Sequence, residues 1–143
     1  MKLVHNILVT AFCREGESLE LITSAMRRLL PSEVIIKQQT AFGFNEKRIK
    51  VLSVTLDKEK LVNAFLKNLA SSLTGEQMQL LVSQKQSRLD DELHFFIRLD
   101  KESLFSKEYR ITDSGSCIHI RMSIAAFPKK RAVALSLIDQ LFG

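Results

Sequence analysis

The sequence predicts an α+β fold of two layers, in which a mostly antiparallel sheet carries helices on one face. Strand-like and helix-like patterns follow each other in the order β-α-β-β-α-(α)-β-β-α. The strands come in pairs that lie too close in sequence for parallel crossovers, which need roughly a dozen residues or more. With 5 Gly, 2 Pro and no low-complexity tract or repeat, the 143 residues are expected to form a single domain over 1–143.

Each element is predicted from its apolar periodicity and from the turn residues beside it. In chain order they are a strand over 3–13, a helix over 19–30, strands over 33–42 and 48–56, a helix after Asp57, a short helix over 74–84, a strand over 93–99, a helical turn over 100–107, a strand over 118–124 and a final helix. Pro31 ends the first helix, the residues 43–47 form a hairpin loop, and Asp57 and Asp100 are the expected N-caps.

The same periodicity predicts which side chains form the core. They are Ile7, Val9, Ile22, Met26, Phe65, Leu69, Phe95, Ile97, Ile120, Met122, Ile124 and Ile138. Cys13 and Cys117 lie far apart in apolar, strand-like runs, which is typical of reduced core cysteines, and a disulfide between them is the less favoured alternative.

Composition limits the class of protein. The hydrophobic fraction of 45% excludes a disordered chain, and no window approaches the roughly 18 apolar residues of a membrane span. The first residues lack a secretory leader pattern, so a cytoplasmic protein with no membrane partner is expected. A net charge of +5 favours polyanionic partners moderately.

Signals of catalysis are weak. The chain has no GxSxG, P-loop, GxGxxG or HExxH motif, and His5, His94 and His119 have no spacing that requires a metal site. The acidic stretch 90–92 is expected to be a solvated loop. We therefore expect no enzyme, no catalytic residues, no metal, no cofactor and no small-molecule substrate.

The strands over 93–99 and 118–124 offer a different chemistry. One face of the first strand carries His94, Phe96 and Arg98, and the matching face of the second carries His119, Arg121 and Ser123. If these strands pair, the uncovered face combines cations that follow phosphates with a ring that stacks on bases, which favours RNA. The alternative is that Phe96 packs against a helix or a second subunit.

A second candidate is the segment Pro128 to Arg131. Proline suits the first turn of a helix, but Lys129, Lys130 and Arg131 place three cations at the positive end of its dipole. Free N–H groups next to cations can bind phosphate, and solvated surface charges are the alternative. Lys47, Arg48 and Lys50, with Lys58 and Lys60, form another basic cluster, for which solvated surface is the preferred interpretation.

Several segments resemble a family of small archaeal RNA-binding proteins, which are also described as predicted exosome subunits. The resemblance runs nearly end to end. It rests on the segments 5–9, 29–31, 42–45, 49–52, 96–101 and 120–131, among which 96–101 (Phe-Ile-Arg-Leu-Asp-Lys) and 120–131 are the most specific. The family's glycine-asparagine hairpin is altered, because Phe44 stands between Gly43 and Asn45. The resemblance implies an antiparallel α+β fold similar to the ribosomal protein that binds 5S ribosomal RNA.

Two functions follow from these observations. The first is a non-catalytic RNA-binding protein, an accessory of RNA processing or degradation with a link to the exosome. Its candidate RNA-binding residues are Lys129, Lys130, Arg131, Arg121, Arg98, Phe96, His119, Lys47 and Arg48. The alternative is a homodimeric structural or interaction protein that binds no nucleic acid. The expected partners are RNA, a second copy of the chain and subunits of an RNA-processing complex.

Overall fold

The computed structural model describes residues 2–43 and 47–143 and confirms the predicted fold class. Five antiparallel strands form one open sheet in the order β2-β3-β1-β5-β4. The elements are β1 (Val4–Cys13), α1 (Leu19–Leu29), β2 (Lys37–Phe42), β3 (Arg48–Leu56), α2 (Glu59–Ser72), α3 (Gly75–Ser83), α4 (Lys85–Arg88), β4 (His94–Asp100), α5 (Lys101–Phe105), β5 (Cys117–Ile124) and α6 (Arg131–Phe142).

Buried and more exposed residues alternate along β5 and separate the two faces of the sheet. In β5, Ile118, Ile120, Met122 and Ile124 are buried, whereas the residues between them are partly or fully exposed. All the residues predicted for the core are buried. Within the part of the chain that the structure describes, no helix is both long and apolar enough to cross a membrane.

Three local predictions are wrong. The second strand begins at Lys37 rather than at 33, and the helix after β3 has Lys58 as its N-cap, with no side-chain hydrogen bond, instead of Asp57. The four-residue α4 lies in a stretch for which no helix is predicted. The N-cap prediction for α5 is confirmed, because the Asp100 carboxylate accepts from the Ser103 N–H at 3.0 Å.

The two edges of the sheet differ. At the β4 edge, the Arg88 guanidinium and the Thr112 N–H donate to the carbonyls of Phe96 and Arg98 at 3.4 and 2.9 Å. At the other edge, every residue of β2 is exposed. The β4 edge is therefore occupied by the chain itself, whereas β2 is open to solvent.

A buried ion pair holds α5 against the end of β1. The Lys101 side chain is 2% exposed, and its Nζ donates to Glu17 Oε2 at 3.1 Å and to the Phe12 carbonyl at 2.7 Å. Burial raises the pKa of Glu17, but hydrogen bonds from the Arg14 N–H and from Lys101 outweigh it and hold the pKa below its ordinary value.

The two cysteines are both buried and free. Cys117 Sγ lies 3.6 Å from Nε2 of His119, and Cys13 Sγ lies 3.6 Å from the Glu17 carbonyl oxygen. Burial raises the pKa of the Cys117 thiol.

Candidate nucleic-acid interface

The sheet face that points away from the helices carries cross-strand rows of polar and aromatic side chains. We call it the open face and define it by three rows of directly paired residues. The first row is Arg98, His119, Thr10, Ser53 and Lys37; the second is Phe96, Arg121, Leu8 and Thr55; the third is His94, Ser123 and Asn6. The first two rows contain three cations and no carboxylate, so a polyanion meets attractive charge along these two rows.

β4 and β5 pair in antiparallel register, as the RNA-binding interpretation of these strands requires, and Phe96 lies directly beside Arg121. Phe96 is 38% exposed, and its ring meets that of His94 edge-on with 6.5 Å between centroids. Arg98 and Arg121 are both exposed. Phe96 therefore has Arg121 across the sheet and Arg98 two residues along its own strand, about 6.6 Å away. The ring can stack on a base, and the two guanidinium groups can bind phosphates.

His119 lies in the first row between Arg98 and Thr10 and is half-buried. Its ring meets Phe12 edge-on with 5.9 Å between centroids. Burial lowers the pKa of His119, and the positive charges of Arg98 and Lys101 lower it further. His119 therefore resists protonation in the free protein and is a neutral hydrogen-bonding group on this face.

A cavity of about 370 Å³ adjoins the open face at the β4 edge. It is lined by Gln84, Ser87, Arg88, Phe96, Arg98 and Asp113. Arg88 Nη2 lies 3.1 Å from Asp113 Oδ1, and Arg98 Nη1 donates to the Asp113 carbonyl oxygen at 3.1 Å. Neither Arg88 nor Asp113 is among the predicted site residues, because they are brought to Phe96 by contacts that no local pattern encodes.

The helix that follows Pro128 begins later than predicted. Lys130 is the N-cap of α6 and the helix starts at Arg131, so Pro128 is not in its first turn. The Lys130 N–H instead donates to the Pro128 carbonyl at 2.8 Å, in a tight turn before the helix. No side chain caps α6, and Lys129 and Lys130 are exposed. The predicted cluster therefore divides into two lysines before the helix and one arginine within it.

Arg131 does not point freely into solvent. Its guanidinium donates to the carbonyl oxygens of Leu89 at 3.1 Å and of Gln86 at 2.6 Å. Gln86 lies within α4 and Leu89 directly follows that helix, so Arg131 joins α6 to α4. These hydrogen bonds explain why a cation occupies the positive end of α6, and no bound anion is needed to account for it.

Lys129 has neighbours of both signs. It lines one hollow with His5, Glu92 and His94, and another with Asp90, Asp91 and Arg131. The stretch 90–92 is more than a solvated loop, since Asp90 Oδ1 accepts from the N–H groups of Glu92 and His94 at 3.0 and 2.8 Å. The nearby carboxylates reduce the attraction of this end of the sheet for phosphate.

The second basic cluster is split by β3. Lys47 and Arg48 line a hollow of about 300 Å³ with Arg14, at the start of β3, whereas Lys58 follows its other end. A strand of this length spans about 30 Å, so Lys58 and Lys60 do not extend the Lys47 and Arg48 site. Of the predicted hairpin loop, residues 44–46 lie outside the described residues.

The three histidines do not form one site. His5 and His94 line the same hollow near Lys129, whereas His119 lies two rows away on the open face. Across residues 2–43 and 47–143, no group of three or more His, Cys, Asp or Glu side chains could hold a metal ion.

Comparison with known proteins identifies the family. Residues 6–124 match the protein family described as RNA binding. The chain belongs to this RNA-binding family. It is similar to the RNA-binding protein PAB1135 of Pyrococcus abyssi, with 28% identity over 97% of this chain and 94% of that protein.

Two solved structures of archaeal proteins share the fold. Protein AF2318 from Archaeoglobus fulgidus matches with a TM-score of 0.88 and 28% identity over 96% of this chain and 99% of that one. Mth689, a DUF54 protein from Methanothermobacter thermautotrophicus, matches with a TM-score of 0.82 and 25% identity over 99% of this chain and 100% of that one.

The region that matches the RNA-binding family includes the whole open face. Each residue of its three rows lies between Asn6 and Ser123, as do Lys47 and Arg48. Lys129, Lys130 and Arg131 lie beyond the matched region.

Proposed function

We propose that this protein is a non-catalytic RNA-binding protein that holds single-stranded RNA on its open face. The observation that carries the proposal is the pair Phe96 and Arg121, an exposed ring and an exposed guanidinium paired across β4 and β5. Bases stack on the ring, and phosphates bind Arg121, Arg98 and Lys37. Since these contacts involve the π-face of a base and the backbone, binding is largely independent of RNA sequence.

A single strand fits this surface better than a duplex. The open face is the surface of a five-stranded antiparallel sheet. Single-stranded RNA presents unstacked bases that can lie on such a surface, as on other sheet-based RNA-binding proteins.

The chemistry around Cys117 supports the non-catalytic part of the proposal. Its Sγ lies 3.6 Å from His119 Nε2, close enough for the thiol to be a nucleophile and the imidazole its base. Burial, however, raises the pKa of the Cys117 thiol and lowers that of the His119 imidazole, so the thiolate–imidazolium pair is disfavoured.

The biological setting of this role is a further part of the proposal and rests on the family resemblance. An accessory of RNA processing or degradation needs sequence-tolerant binding, which the open face supports. The exosome link and the likeness to the 5S-RNA-binding ribosomal protein are predictions of the same kind. Size-exclusion chromatography with purified exosome subunits tests a physical link, and separate elution of this protein would contradict it.

The experiment on RNA binding uses fluorescence anisotropy of a labelled single-stranded RNA. Arg121→Gln and Phe96→Leu should each weaken binding about tenfold, the usual effect of one charged contact or one stacked base. Lys67→Gln on α2 and Phe42→Leu on β2 are the matched controls, since both residues are exposed away from the pair. Equal affinity of all four variants would reject the open face as the RNA site.

The homodimeric alternative keeps one observation in its favour. Every residue of the β2 edge is exposed, including the apolar Phe42, and the exposed Ile35 lies two residues before the strand. Such an edge can pair with a second strand. Light scattering after size exclusion distinguishes the two functions: a stable dimer without RNA affinity near 0.1 M salt would favour the alternative.

A further inference from the structure

The cavity beside Phe96 contains a positively charged residue, Arg88, that is not part of the open face. Two guanidinium groups, those of Arg88 and Arg98, line it together with the Asp113 carboxylate. Formal charges of +2 and −1 leave a net charge of +1 in a space of about 370 Å³, at the small end of ligand pockets.

Arg88 is held in place by several hydrogen bonds to the protein, whereas the exposed Arg98 donates one to the Asp113 carbonyl oxygen. Arg88 is 9% exposed, and its Nε and Nη2 both donate to Gln84 Oε1, at 2.9 and 2.6 Å. Its Nη1 donates to the Phe96 carbonyl oxygen at 3.4 Å, which fixes the guanidinium against the strand that presents the ring. A fixed guanidinium loses little conformational entropy when it binds an anion.

Asp113 differs from Arg88 in its exposure. Its side chain is 80% exposed, and it belongs to a turn outside the regular elements. The exposed carboxylate is readily solvated, and a phosphate in its place would keep the buried Arg88 guanidinium paired, so a phosphate can displace Asp113. An incoming phosphate would then meet both arginines without a competing charge.

The cavity lies at the margin of the open face. Phe96 and Arg98 belong to both, whereas α4 and the turn that contains Asp113 close the β4 side. An RNA strand that crosses the sheet therefore meets the end of its path here. A terminal phosphate monoester carries about −1.5 to −2 charges, which matches two guanidinium groups better than the single charge of an internal phosphodiester.

We propose that the Arg88–Arg98 cavity binds the terminal phosphate of an RNA strand whose end base stacks on Phe96, with Asp113 as the internal competitor. This inference rests on the proposed function, because it places the end of the same RNA on the open face. It predicts that, of two RNA molecules with the same sequence, the protein binds the one with a terminal phosphate more tightly.

The experiment compares one labelled single-stranded RNA with a phosphate at its 5′ end, at its 3′ end or at neither. A terminal phosphate at one end should raise the affinity of the wild-type protein roughly tenfold, as a charge-assisted contact does. The other end should give no gain, because the closed side of the cavity fixes the strand direction. Equal affinity for all three RNAs, or equal gains at both ends, would overturn the proposal.

Three variants assign the effect to the cavity without replacing the buried Arg88. Asp113→Asn should increase affinity for the preferred RNA roughly two- to fivefold, because it removes the negative charge that competes with the phosphate. Asp139→Asn, which removes the same charge from the Lys85–Asp139 pair at 2.7 Å, should have no effect. Arg98→Gln should abolish the gain from the terminal phosphate. Identical affinities of the two asparagine variants would remove the role of Asp113.

Inorganic phosphate separates an RNA end from a free anion. It should shift the side-chain NMR resonances of Arg88 and Arg98 only at concentrations far above those of the phosphorylated RNA. Equal potency would identify a free phosphate as the ligand and overturn the proposal. The two proposals can fail separately. If a terminal phosphate has no effect but Phe96→Leu and Arg121→Gln still weaken RNA binding, the proposed function stands and only this inference is rejected.

Discussion

The guanidinium of Arg131 donates a hydrogen bond of 3.1 Å to the carbonyl oxygen of Leu89. This bond joins the first residue of α6 to the chain just after α4, across 42 positions of sequence. It separates Arg131 from Lys129 and Lys130, although the three cations are adjacent and sequence patterns treat them as one cluster. The segment therefore combines a structural arginine with two exposed lysines.

Replacing Arg131 by alanine should destabilise the fold. The carbonyl oxygens of Leu89 and Gln86 would be left without a charged donor, so the free energy of unfolding should fall by about 1–3 kcal/mol. Urea denaturation followed by circular dichroism measures this change. An unchanged midpoint would mean that water replaces the guanidinium without cost.

The double variant Lys129→Gln with Lys130→Gln should retain wild-type stability, since both side chains are exposed. If the lysines bind RNA phosphates, the slope of log K against log salt should become shallower by about 0.7 for each phosphate that the variant no longer neutralises. Titrations of single-stranded RNA at several salt concentrations measure the slope. A wild-type slope would exclude both lysines from the interface.

Two adjacent phenylalanines should contribute very differently to stability. Phe95 is fully buried and stacks on Phe142 with 5.9 Å between ring centroids, so Phe95→Ala should cost about 3–5 kcal/mol of stability. Phe96→Ala should cost about 1 kcal/mol or less, because that ring lies on the open face. Urea denaturation of both variants is the measurement, and equal losses would contradict the assignment of faces in β4.

The faces of β4 and β5 could be predicted because alternation with a period of two is a local signal. A run such as Ile118 to Ile124 fixes which side chains point to the core, whatever strand lies beside it. Once the two strands pair, Phe96 and Arg121 necessarily share a surface. The core and the centre of the candidate site therefore follow from the sequence.

The parts that could not be predicted depend on contacts between distant segments. Arg88 and Asp113 are 25 positions apart, and each lies in a short segment without periodicity. The sequence pattern places the start of α6 too early because Pro128 fits a first helical turn, whereas the Lys130 N–H bonds to the Pro128 carbonyl instead. In both cases tertiary structure or a tight turn overrides a local preference.

Replacing Glu17 by glutamine should make stability less sensitive to acid. The wild-type pKa of Glu17 is lowered in the folded state, so its contribution is present above the unfolded pKa and is lost as pH falls through the folded pKa. At neutral pH the variant leaves the Lys101 charge without its carboxylate. The loss should be about 1–3 kcal/mol, below the ~3–5 kcal/mol of a fully buried pair, because Glu17 is 28% exposed.

Urea denaturation at pH values from neutral to acidic tests this prediction. The difference between wild type and Glu17→Gln should shrink as Glu17 becomes protonated in the wild type. Glu15→Gln is the matched control, since Glu15 is an exposed neighbour with the same charge. Parallel stability curves for wild type and Glu17→Gln would contradict a role for the Glu17 carboxylate.

The titration of His119 should report on both Arg98 and bound RNA. Burial lowers its pKa and Arg98 lowers it further, so stability linked to His119 is present above the unfolded pKa and is lost as pH falls towards the folded pKa. Arg98→Gln should raise the midpoint seen in the NMR signal of the ring, whereas Lys67→Gln on α2 should leave it unchanged. Single-stranded RNA should raise the midpoint in the wild-type protein as well, because a phosphate beside Arg98 favours the imidazolium. A midpoint that RNA does not move, under conditions where anisotropy shows saturation, would place the phosphates away from the first row of the open face.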